Sequence, residues 1–146
     1  MSRKNARIGQ MQVLYQMDIV DDYSVESLNE FLGNFSFKKA GEKEEVYFNK
    51  EEVQYIKNTV PVAVENLDTI DKYIDSHLQG WTINRLSKVD KSILRIAVYE
   101  FIFSDIPASV SINEAVEIAK VYAGENSPKF INGILGSIYK TLELDK

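Results

Sequence analysis

The stretch Val89 to Phe103, VDKSILRIAVYEFIF, places apolar side chains on nearly every side of a helical wheel. A helix that is apolar almost all round has to be covered on most sides, so it belongs in the middle of a domain. It is about four turns long, too short to span a bilayer. Ser87 stands three residues before Asp90, a capping-box-like start, and Asp90 also suits the positive end of the helix dipole. Pro107 sets the latest point at which the helix must have stopped.

The rest of the chain supplies helices to surround it. At 146 residues it suits one domain with a real core. Three prolines, seven glycines and little alternating hydrophobicity predict an all-α fold. Residues 3 to 20 read as a first helix with an apolar line through Ala6, Val13 and Met17. Ser24 caps a short helix running to about Phe35, which would bury Val25, Leu28, Phe31 and Leu32. Lys38 to Glu45, KKAGEKEE, reads as an exposed loop. Residues 49 to 79 carry the longest helical stripe, with Asn49 and Glu52 as a capping box. Pro61 interrupts it, predicting a bend or two helices meeting near Thr59, and Gly80 should end it. Ser111 and Glu114 form a second S-x-x-E box ahead of a helix ending near Ala123-Gly124. Ser127 and Pro128 open a last helix, in which Gly133 and Gly136 suggest close approach to a neighbour.

Function is less legible from the residues themselves. A net charge of -5 does not advertise nucleic-acid binding, so any such site must be a local basic patch. With no cysteine, disulfides, thiol catalysis and cysteine-held metals drop out, which fits a reducing compartment. The start MSRKNARIGQ lacks the apolar segment of a signal peptide, and a cytoplasmic location is expected. The sequence shows no metal-ligand cluster, glycine-rich phosphate loop or acid/base constellation, so no catalytic residue, cofactor or metal is predicted. His77, the single histidine, reads as a solvated helix-end residue. Arg3, Lys4 and Arg7 crowd the first turns of the first helix, where cations oppose the dipole. Two readings stand for them: a solvated, frayed end, or a binding site for something anionic.

In the second half of the chain an I-L-R-I-A-x-Y-E helix is followed by D-x-P, then x-I-N-E-A-x-E-I-A-K, then K-F-x-N-G-x-L. In this pattern it resembles the transcription antitermination factor NusB family. The N-terminal R-K-x-A-R followed by V-L-Y is similar too, and the likeness is weak only from Asp21 to Asn49. The resemblance implies an all-α fold of two helical subdomains, at about 1–80 and 81–146, packed around the central helix. It implies an RNA-binding role in antitermination on ribosomal RNA operons. NusB-like proteins pair with NusE, a small-subunit ribosomal protein, bind boxA RNA and act on RNA polymerase; the family includes monomers and homodimers. By the same resemblance Arg3, Lys4, Arg7, Tyr15, Glu125, Asn126, Ser127 and Lys129 are the expected RNA contacts. Asp90, with Asn84 and Lys91, is the expected NusE surface; capping is the competing reading of Asp90. Glu100 and Glu114 read better as internal or capping groups.

The loop departs from the family pattern. Asn126 stands where an acid is usual and Pro128 where a histidine is usual, and the basic arm is short of arginine. Two other functions therefore compete: an interaction module that kept the fold without the RNA role, and the domain that precedes the catalytic part of some ribosomal RNA cytosine methyltransferases. The chain shows no nucleotide-binding βα pattern, so that enzyme is not expected from it alone.

Overall fold

The computed structural model describes residues 2–34 and 48–145. Among them lie seven α-helices: α1 (Arg3–Val20), α2 (Val25–Asn34), α3 (Lys50–Glu65), α4 (Leu67–Asp75), α5 (Lys88–Phe103), α6 (Ala108–Tyr122) and α7 (Ser127–Leu144). A single 3-10 turn, Ile83–Arg85, precedes α5. The expected loop from Lys38 to Glu45 falls outside the described residues.

The central helix is α5. Every residue from Lys91 to Glu100 is buried, and α1, α4, α6 and α7 pack around it. Ser87 caps it, its hydroxyl accepting from the Asp90 backbone N–H at 3.1 Å. Leu94, Ala97 and Val98 meet Ile70 and Ile74 of α4, Ile118 of α6 and Leu135 of α7 in the larger hydrophobic cluster. Ile96 faces the smaller one, with Val13 and Leu14 of α1, Leu28 of α2 and Ile56 of α3. At about 25 cal/mol per Å² of apolar surface, burial on this scale is what holds short helices that would be marginal alone.

Several boundaries differ from expectation, each for a local reason. The long stripe does break into two helices, but at Asn66 rather than near Thr59. Pro61 lies inside α3, whose buried residues Ile56, Val60 and Ala63 flank it on both sides and hold the helix through it. Asn66 instead turns its side-chain amide back onto the Val62 carbonyl at 2.8 Å, the competition with helix continuation typical of asparagine. α4 stops at Asp75, and Gly80 (φ 74°) belongs to a later turn. Val25 is 58% exposed, so α2 buries Leu28 without it.

Ser111 is no cap. It lies one turn inside α6, buried, and its hydroxyl donates to Glu100 Oε1 at 2.7 Å. Asn126, rather than Ser127, holds the cap position of α7, with no side-chain cap bond. A Cβ at Gly133 or Gly136 would meet nothing within 4 Å, so neither serves close packing. Gly9 does: a Cβ there would lie 2.5 Å from Ile56 Cδ1 and 2.8 Å from Phe48 Cζ. His77 is half-buried rather than solvated, bonding Thr141 of α7 and the Tyr73 carbonyl, each at 2.7 Å.

Candidate nucleic-acid and partner interface

The start of α1 is fixed before its cations project. The Ser2 hydroxyl caps the helix by accepting from Asn5 N–H, and the Ser2 N–H donates to Glu52 Oε2 at 2.9 Å. Glu52 is itself buried and closes the capping box of α3 with its other oxygen. From this anchored end Arg3 and Lys4 are exposed. The Arg3 guanidinium lies 5.2 Å over the Tyr55 ring and donates to its hydroxyl at 3.3 Å. The Lys120 hydrogen bond, helped by the charges of Lys120 and Lys4, holds the Glu117 carboxyl of α6 below its usual range.

Arg7 does not join them. It is 5% exposed, and its Nε donates to Glu100 Oε2 at 2.8 Å inside the α1–α5–α6 contact. Glu114 approaches its Nη1 at 4.0 Å. A guanidinium so enclosed is a poor phosphate ligand, because its charge is already compensated by a buried carboxylate. The expectation for Arg7 as a phosphate contact is therefore corrected. The reading of Glu100 as an internal group fits its 1% exposure.

Arg7, Met11 and Tyr15 fall four residues apart on one stripe of α1. The first two meet Ser111, Ala115 and Ile118 of α6, so the stripe runs toward the far end of that helix. Tyr15 is half-buried and lies about 18 Å from Arg3 along the α1 axis, at about 1.5 Å per residue.

At that far end the α6–α7 loop presents Glu125 and Asn126, and the first turn of α7 presents Lys129, all exposed. With no capping bond to make, the Asn126 side chain faces out of the fold. Ser127 reaches across to α5, its hydroxyl donating to Asp90 Oδ2 at 3.2 Å. One RNA candidate and one partner candidate are thus in contact. Asp90 is half-buried, and its Oδ1 is buried without a hydrogen-bond partner among the described residues. A buried polar oxygen left so is costly to the fold.

Asn84 is exposed in the 3-10 turn that leads to this end of α5. Lys91 is not available there. It is 8% exposed, and its Nζ donates to Asp18 Oδ1 at 3.1 Å. The expectation for Lys91 as a partner contact is corrected on that ground.

Asp18 belongs to a network that sequence spacing does not reveal, since its members lie far apart in the chain. It also accepts from Lys88 Nζ at 2.8 Å and from the Tyr23 hydroxyl at 3.0 Å. Arg95 grips Asp71 in two bonds of 2.9 and 2.8 Å and donates to Tyr23 at 3.0 Å. Burial raises the Asp18 pKa, but the bonds from Lys88, Lys91 and Tyr23 outweigh it and bring it down to about 2. The network ties α1 and α4 to α5 and gives the partner candidate region a rigid base.

Comparison with known proteins decides the family. The NusB family model matches residues 4–140. The chain belongs to the NusB family. A transcription antitermination protein NusB from Thermoanaerobacter sp. (strain X514) is 42% identical over 147 residues, covering 100% of this chain and 96% of that protein. The NusB structure from T. maritima superimposes with a TM-score of 0.76 at 36% identity, covering 96% of this chain and 92% of that one. A crystal structure of the antitermination factors NusB and NusE in complex with dsRNA matches with a TM-score of 0.76 at 34% identity, covering 95% of this chain and 96% of that one. The all-α architecture expected from the sequence is thus a NusB fold, and no helix among the described residues is long and apolar enough to cross a membrane.

Proposed function

We propose that this chain is an RNA-binding transcription antitermination factor that acts with the small-subunit ribosomal protein NusE on boxA-type RNA of ribosomal RNA operons. In this reading it works in the cytoplasm, by binding and without a catalytic step of its own. The observation that supports it is the contact between Ser127, a residue proposed to meet RNA, and Asp90, a residue proposed to meet NusE, on an otherwise acidic molecule.

Arg3, Lys4 and Lys129 supply the cations for phosphates. Tyr15, Glu125, Asn126 and Ser127 lie along or at the end of the path between them. Half-buried Asp90 and exposed Asn84 are the polar groups offered to NusE. Arg7 serves by holding α1 against α5 and α6.

A titration of labelled boxA-type RNA against the chain, with and without NusE, tests the proposal. Single-stranded and duplex forms of the RNA belong in the same series. Tighter binding in the presence of NusE supports it. An RNA affinity no better than for an unrelated sequence, with NusE still bound, would favour an interaction module without an RNA role.

A further inference from the structure

Beside the α6–α7 loop runs an open groove between the segment 77–81 and α7, of about 620 Å³. That is within the range of about 300–1,000 Å³ that accommodates small organic ligands. Trp81, 59% exposed, forms one wall, and Phe130, Gly133 and Ser137 of α7 form another. Asn126 and Lys129, both counted above among the RNA contacts, also line it.

Two features single this groove out. Among the described residues no carboxylate lines it, on a chain of net charge -5, whereas a second groove, along α4, is lined by Asp68, Asp71, Asp75 and Asp145 together with Lys72. An anionic strand leaving Lys129 along this groove therefore meets less repulsion than it would along the acidic one. The second is Gly133, where a Cβ would meet nothing within 4 Å, so the α7 wall of the groove is open at that point.

We infer that this groove extends the RNA path. One nucleotide next to those held by the loop stacks its base on the Trp81 indole, with Lys129 on its phosphate and Ser137 within the cleft for a base edge. The inference rests on the RNA reading above and adds a binding position to it. A flat exposed aromatic beside a cation is what single-stranded RNA uses, because every base offers a π-face.

Trp81 is the only tryptophan in the chain, so its fluorescence reports on this groove alone. The test titrates the chain with boxA-type RNA, and with the same RNA shortened from each end. Binding is followed by anisotropy of the labelled RNA and, in parallel, by Trp81 emission. The expected result is quenching with the same midpoint as the anisotropy change, lost when the RNA is shortened from one particular end.

Trp81→Leu should weaken binding of the full RNA by about fivefold to a hundredfold, the range for one base–aromatic stack. Trp81→Phe, which keeps a ring face, should lose less. Gly133→Gln, which plugs the cleft at a position open enough to keep the fold, should act like Trp81→Leu. None of the three should change binding of the shortened RNA. Tight RNA binding with unmoved Trp81 emission overturns the inference and leaves the RNA reading intact. Trp81 emission changed by NusE without RNA also overturns it, since the groove would then be a protein contact. Failure of every RNA to bind, with or without NusE, removes the RNA reading itself and this inference with it.

Discussion

Replacing Arg7 by methionine separates what the fold says of this residue from what the family resemblance implies. Glu100 is 1% exposed and has two donors, Arg7 Nε at 2.8 Å and Ser111 Oγ at 2.7 Å. Arg7→Met keeps most of the apolar stem but strips the buried carboxylate of its counter-charge. Removing one partner of such a pair costs about 3–5 kcal/mol. For a chain of this size each kcal/mol moves Tm by about 3 °C, so a fall of roughly 9–15 °C is expected. Urea denaturation read by circular dichroism measures it directly, with the midpoint falling at constant m. Adding Glu100→Gln removes the stranded charge while leaving Ser111 a partner. The double variant should therefore be more stable than Arg7→Met alone. RNA affinity, measured where both variants are folded, should keep the salt dependence of the parent. The reasoning is refuted if Arg7→Met denatures within about 1 kcal/mol of the parent while its RNA binding loses about 0.7 from the slope of log K against log salt, the signature of one lost phosphate contact.

Other outcomes follow from the same geometry. The Asp18 carboxyl titrates near 2 in the fold, below the ordinary carboxylate value of about 3.9 in the unfolded chain. Its contribution is therefore complete above about pH 4 and lost as pH falls toward 2, so the stability gap between the parent and Asp18→Asn, followed by urea denaturation, should narrow over that window; a gap unchanged down to pH 2 would contradict the assignment. Gly9→Ala should destabilise by about 1–3 kcal/mol, because its Cβ would press on Ile56 and Phe48, whereas Gly133→Ala, in open space on α7, should gain up to about 1 kcal/mol. Thermal melts of the two variants against the parent check the pair. Asn126→Asp, which adds a negative charge beside the loop cations, should weaken RNA binding; equal affinities in parallel titrations would remove that residue from the interface.

Much of the fold could be read from the chain because its signals were local. The near-continuous apolar surface of α5 demanded a central position, and Ser87 and Asn49 marked true helix starts. Signals that depended on tertiary context misled. Ser111 and Glu114 satisfied the capping pattern, yet a buried Glu100 claimed the serine hydroxyl. Arg7 shares a helical face with Arg3 by spacing alone, and nothing local says that a carboxylate 93 residues away encloses it. Lys91 is the same case, taken by Asp18 across α1. Nothing local marks Trp81 either, because the exposure of an aromatic ring depends on neighbours brought from α7. The family motifs name candidate residues, and the distances separate the exposed ones, such as Arg3, Lys4 and Lys129, from the enclosed Arg7 and Lys91.

The central claim is that a few exposed cations at the ends of α1 and α7 hold RNA once NusE is in place. Neutralising Arg3, Lys4 and Lys129 together, each to glutamine, and titrating boxA-type RNA with NusE present across a range of salt tests it most directly. The account predicts a folded protein that still binds NusE, binds RNA far more weakly, and loses about 2 from the salt slope, close to 0.7 for each charge. RNA binding of parental strength and slope by that triple variant would contradict it.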